Sequence, residues 1–187
     1  MNTPDARTNI ALLGFMGSGK TTAGKRLARR LNMQFLDTDR MIEELLGLPV
    51  REIFRKYGEA RFRGEEALLI SKLAAARHTV IATGGGVVLN PRNIENLKRS
   101  SLLVLLDPPL ELLLKRLAGK KNRPLLNASP DPAATAARLL AERRPLYQQA
   151  ADIIIPVEAG ENADSTVEKI LHQLQMRGFV HAHNRNR

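Results

Sequence analysis

Lys20 and Thr21 close the stretch Gly14-Phe15-Met16-Gly17-Ser18-Gly19-Lys20-Thr21-Thr22, which fits G-x-x-x-x-G-K-[ST], a phosphate-cradling loop. Glycines at these positions let the backbone curl, so that successive N–H groups point inward at phosphate oxygens. A helix starting at the loop would add its partial positive charge. The Lys20 ammonium has the reach for β- and γ-phosphates, and the Thr21 hydroxyl can ligate Mg²⁺. Gly17, Ser18, Gly19, Lys20, Thr21 and Thr22 are the candidate triphosphate contacts. The plain alternative is a glycine-rich turn with a chance Lys-Thr. The flanks argue against it: residues 9–13 are a short apolar run of buried-strand type, and Leu27, Ala28 and Leu31 fall on one face of a helix after the loop.

Two further clusters have chemistry-bearing side chains. Asp37-Thr38-Asp39 ends a second apolar run, Gln34-Phe35-Leu36. Carboxylates at i and i+2 allow one to face a metal and the other a substrate hydroxyl, which it would orient or deprotonate. Asp39 serves equally as a cap for the next helix, and Asp37 as an ordinary loop acid. Gly84-Gly85-Gly86 follows a β-branched run, either as a tight turn or as a place where another group comes close to the backbone. Arg63 and Arg143 sit in helical stretches, where an arginine is by default solvated. Arg116 and Arg123 flank a basic loop that could close on phosphate and stabilise transition-state charge.

Apolar runs and helical periods alternate along the chain, predicting a parallel sheet covered on both faces. Strands are expected at 9–13, 34–37, 79–83, 102–106 and 152–156. Helices are expected from 22 to 31, 39 to 46, 50 to 57 (ended by Gly58), 59 to 77, from Pro91, to about 117, from a cap at Asp131 to 150, and 165 to 176. Residues 118–130 hold Gly119, Lys120, Lys121, Arg123 and two prolines without apolar periodicity, which suits a mobile lid. The expectation is one three-layer α/β domain over 1–176, followed by a flexible basic tail at 177–187. Ligands in such sheets bind beyond the carboxyl ends of the strands, where all three clusters lie.

Composition narrows the partners. There are 187 residues with a formal charge of +10, 43% apolar content and no cysteine. That excludes disulfide frameworks and thiolate metal sites, and it suits anionic ligands. No apolar run approaches the ~20 residues of a membrane span, and Met1 to Thr8 carries no signal-peptide core. A cytoplasmic address is expected, with neither membrane nor nucleic acid as partner. Aromatics at 4% leave few stacking platforms for single strands. A nucleotide-dependent regulatory protein contacting nucleic acid is the alternative from another class.

The set of motifs closely resembles shikimate kinase, a small P-loop kinase family. The matching pieces are Gly14 to Thr22, Phe35-Leu36-Asp37-Thr38-Asp39, Gly58-Glu59 with Phe62-Arg63 and Glu66, Ala82-Thr83-Gly84-Gly85-Gly86, Arg123-Pro124-Leu125-Leu126, and Arg143-Arg144-Pro145-Leu146-Tyr147. The resemblance implies a nucleoside monophosphate kinase-like α/β/α fold with a five-stranded parallel sheet in order 2-3-1-4-5. It also implies a substrate-binding insertion near 38–66 and a lid near 118–130. It implies ATP and shikimate as substrates, Mg²⁺ as cofactor, and a monomer. Asp39 would bind shikimate hydroxyls and poise the reacting one, while Asp37 would hold Mg²⁺ through water beside Thr21. Arg63 and Arg143 would clamp the shikimate carboxylate; Gly85 and Gly86 would offer backbone N–H groups. Arg123 would reach the phosphates alongside Lys20, and Arg116 would lie on the adenine. This sequence departs from the family at Ala118 and in the acidic stretch Pro156 to Glu161. The nearest enzyme rival is another small-molecule P-loop kinase acting on gluconate or a nucleoside monophosphate.

Overall fold

The computed structural model describes residues 7–118 and 129–179. Five parallel strands, β1 (Asn9–Leu13), β2 (Gln34–Asp37), β3 (Thr79–Ala82), β4 (Ser101–Asp107) and β5 (Ile153–Pro156), form one sheet in the order β2-β3-β1-β4-β5. Among the described residues the α-helices are α1 (Lys20–Leu31), α2 (Thr38–Leu46), α3 (Val50–Leu73), α4 (Pro91–Lys98), α5 (Leu110–Leu117), α6 (Pro132–Ala150) and α7 (Ala163–Met176). None is long and apolar enough to cross a membrane.

The central strands β1, β3 and β4 are buried on both faces, which is why they read as continuous apolar runs. Successive side chains point to opposite faces and divide the core in two. Ala11, Leu13, Ile81, Leu103 and Leu105 pack against Ile70 of α3, Leu97 of α4 and Leu140 of α6. Ile10, Leu12, Val80, Leu102 and Val104 pack against Leu27 of α1 and Ile170 of α7. The result is the expected three-layer arrangement. A third small cluster, Ile42, Ile53 and Phe62, lies within α2 and α3, away from the sheet.

Two expectations need correction. The helix expected over 59–77 ends at Leu73, and the helical pieces on either side of Gly58 are continuous apart from a break there. Gly58 has φ 81° and ψ 167°, a conformation open to glycine because it has no Cβ. It kinks α3 instead of ending a helix. Asp37, not Asp39, caps α2: its Oδ1 accepts from the Arg40 N–H at 3.3 Å, and Asp39 sits in the first turn. Asp131 caps α6 as expected, accepting from the Ala134 N–H at 3.0 Å.

Candidate active site

The loop between β1 and α1 turns through Gly17 (φ 82°) and Gly19 (φ 99°), left-handed positions that favour glycine. Gly19 has no side chain to cap α1, so the first-turn N–H groups remain for an anion. Lys20 is buried, and its Nζ donates to the carbonyls of Gly14 at 2.7 Å and Phe15 at 2.9 Å. Arg116, on α5, donates to the carbonyls of Gly17 at 3.3 Å and Ser18 at 3.4 Å, so it lies across the loop. These groups line a cleft of about 580 Å³, which also takes in Gly17 through Thr22, Asp37 and Asp39.

Thr21 Oγ1 donates to Asp37 Oδ2 at 2.7 Å. With its proton turned to the carboxylate, the hydroxyl keeps its lone pairs for a cation. Among the described residues no group of three or more His, Cys, Asp or Glu side chains is placed to hold a metal. A hydroxyl and one carboxylate instead suit Mg²⁺, which keeps several waters and binds through one or two protein oxygens plus substrate phosphates.

A second cleft of about 320 Å³ adjoins the first and shares Met16, Thr21, Asp37, Asp39 and Gly85 with it. Arg63, Gly86 and Arg143 are also on its wall. All five residues expected to bind the acceptor therefore face one space. Neither arginine is the solvated residue its helical position suggested. Arg143 is 5% exposed and donates to the Gly85 carbonyl at 3.3 Å. Arg63 Nε and Nη2 donate to Glu59 Oε1 at 3.1 and 2.9 Å, and Nη1 donates to Glu66 Oε2 at 2.9 Å. That occupies three of the five guanidinium N–H groups and leaves two for a ligand. Arg123 lies outside the described residues.

The triple glycine is explained by close approach. Gly84, Gly85 and Gly86 all have backbone angles open to any residue. A Cβ on Gly84, however, would sit 2.6 Å from both Asp39 Oδ1 and Glu66 Oε1, and one on Gly86 would overlap the Arg63 guanidinium. The turn is thus a floor against which two carboxylates and a guanidinium pack. The Gly84 N–H donates to Thr38 Oγ1 at 2.9 Å, tying this floor to the start of α2.

Sequence reasoning assigned no role to three residues that hold the site. Glu66 is 1% exposed; burial pushes its carboxyl up from the ordinary range and the nearby Asp39 charge adds to this, while Arg63 opposes it. Tyr147 donates its hydroxyl to the same Gly85 carbonyl that Arg143 uses, and burial keeps its phenol protonated. The spacing Glu59, Arg63, Glu66 is a helical i, i+4 and i, i+3 pattern, a signal that could have found the ion pairs. Asn162 caps α7 through the Ser165 N–H at 2.9 Å and lines the first cleft with Thr166. An Asn three residues before a Ser at a helix start is the trace it leaves in the sequence.

A family model for shikimate kinase matches residues 16–175. The chain belongs to the shikimate kinase family. A shikimate kinase of Pelotomaculum thermopropionicum is 44% identical over 92% of this chain and 98% of its own length. One of Desulforudis audaxviator is 47% identical over 93% of this chain and 90% of its own length. Among solved structures, shikimate kinase from Acinetobacter baumannii in complex with shikimate superimposes with a TM-score of 0.85 at 38% identity, covering 92% of this chain and 95% of that one. A gluconokinase from Sinorhizobium meliloti reaches a TM-score of 0.53 at 14% identity, a likeness of fold alone. The five-stranded parallel sheet in the order β2-β3-β1-β4-β5 is therefore that of a shikimate kinase-family enzyme.

Proposed function

We propose that this chain is a monomeric cytoplasmic enzyme that moves the γ-phosphoryl group of MgATP to the 3-hydroxyl of shikimate, giving shikimate 3-phosphate and ADP. The observation that carries the reading is the pair of adjoining clefts: the P-loop lines one, the wall of the other includes Arg63 and the buried Arg143, and Asp39 is common to both. A phosphoryl donor and a carboxylated polyol can then meet at one carboxylate.

In this reading Gly17, Ser18, Gly19, Lys20, Thr21 and Thr22 hold the triphosphate, Arg116 lies towards the adenine, and Arg123 completes the charge from the lid over 118–130. Mg²⁺, held by Thr21 and through water by Asp37, would neutralise phosphate charge. Asp39 orients the 3-hydroxyl and accepts its proton as the oxygen attacks. Arg63 and Arg143 grip the carboxylate beside Gly85 and Gly86, and a planar guanidinium matches a carboxylate in two-point geometry. Catalysis then rests on positioning and charge stabilisation.

Shikimate-dependent ADP release in a coupled assay tests this, with gluconate and nucleoside monophosphates as competing acceptors. Turnover on shikimate alone is expected; comparable turnover on another acceptor overturns it. Arg63→Ala is expected to raise the shikimate KM about 10- to 100-fold, the cost of a lost charge-assisted contact, and to leave the ATP KM nearly unchanged. Equal rises in both constants would remove Arg63 from the carboxylate clamp.

A further inference from the structure

The second cleft is lined by more guanidinium groups than a carboxylate clamp uses. Besides Arg63 and Arg143, its wall includes Arg40, in the first turn of α2, and Arg51, in the first turn of α3. Both are exposed, so they stand at the mouth and not on the floor. Arg63 is largely neutralised where it sits, by Glu59 and the buried Glu66. The one glutamate on this wall, Glu43, is engaged elsewhere, accepting from the Val50 N–H at 2.8 Å to hold the start of α3. Among the described residues neither Arg40 nor Arg51 has a carboxylate within ion-pair distance. Nearby Arg55, by contrast, is paired with Glu52 at 2.6 Å.

We propose that Arg40 and Arg51 form a cationic gate that draws the anionic acceptor into the second cleft. The inference rests on the shikimate kinase reading above. Pairing would spend their charge locally, whereas an unpaired guanidinium at a cleft mouth projects its field to where the substrate arrives. A cleft with low-dielectric walls focuses such a field and raises the local concentration of the opposite charge. Two unit charges about 10 Å from a carboxylate raise its local concentration about fourfold at low salt, and about 0.15 M salt screens most of that. The pair therefore acts on capture of the acceptor, and it favours acidic polyols over neutral ones of the same shape.

The test is kcat/KM for shikimate and, separately, for ATP, measured from about 10 to 300 mM ionic strength on the wild-type enzyme and the Arg40→Gln/Arg51→Gln double variant. The wild-type value for shikimate is expected to fall several-fold across this range. The double variant should start about threefold to fivefold lower and fall less steeply than wild type, because two of the charges that salt screens are gone while Arg63 and Arg143 remain. Its salt dependence for ATP should match wild type. A variant that merely packs less well would shift both curves without changing their slopes. Parallel slopes for shikimate overturn the gate, and a slope lost for ATP instead moves the two arginines to the nucleotide side and also overturns it. If wild-type enzyme does not phosphorylate shikimate at all, the functional reading fails first; turnover with parallel slopes defeats only the gate.

Discussion

Glu66 occupies a place where its own charge is disfavoured. Burial pushes its carboxyl upward first, and the Asp39 and Glu59 charges push the same way, with Arg63 pulling back. A carboxyl whose folded pKa lies above the unfolded value binds more protons when folded between those two values. Its contribution to stability is therefore greatest below the ordinary glutamate range and is lost as pH rises through the folded pKa. Glu66→Gln removes this loss and also removes the partner of Arg63 Nη1. The melting temperature of the variant relative to wild type is expected to improve steadily as pH is raised from about 4 to 8. A constant difference across that range would show that Glu66 does not titrate in the window. At this scale the sequence was legible where a motif names a place, as at Lys20 and Thr21, which the structure puts on the wall of the loop cleft. It was not legible where a role depends on what packs against a residue: Arg143 sits in a helix that reads as solvated, and only its placement under Gly85 buries it.

The elements were easier to read than their joints. The positions of β1, β3 and β4 followed from apolar runs flanked by turn residues, because a strand covered on both faces must be apolar throughout. The triple glycine illustrates the limit: β-branched residues announced β3, yet the contacts that demand glycine come from Asp39 of α2 and from Arg63 and Glu66 of α3, well outside any local window of sequence. Two helical glycines make opposite demands that can be measured. At Gly24 in α1 a Cβ would sit 2.7 Å from the Phe35 ring and 3.2 Å from Leu12, so this glycine lets β2 and β1 approach the helix. Gly24→Ala is expected to cost about 1–3 kcal/mol by overpacking, despite the better helix propensity of alanine. At Gly58 a Cβ would meet nothing within 4 Å, but φ is 81°. Gly58→Ala is expected to cost about 1–2 kcal/mol from backbone strain alone. Urea titrations of both variants check this, and a stabilised Gly58→Ala would mean that α3 straightens through the kink.

Across the whole molecule, the division of the core separates binding from folding. The sheet carries two large clusters, one on each face, whereas the region that bears Asp39 and Arg63 is held by the small cluster of Ile42, Ile53 and Phe62. Leu69 packs against this cluster and against the sheet core, so the C-terminal half of α3 belongs with the sheet while the part around the Gly58 kink does not. A region with few buried apolar contacts opens locally at a lower free energy than the rest. Phe62 is central to it: the ring is 3% exposed, lies 5.1 Å from the Phe54 ring and lines the second cleft beneath the Arg63 guanidinium. Phe62→Ala removes about 3–5 kcal/mol of packing, most of it from this local unit. Amide exchange in α2 and the first turns of α3 is expected to accelerate about 100-fold or more, while the central amides of β1, β3 and β4 keep their wild-type protection. The shikimate KM should rise with this loosening while ATP still binds, because the P-loop is set by β1 and α1. Equal acceleration in the central strands would show instead that the insertion and the sheet unfold as one unit, and the separation of binding from folding would then fail.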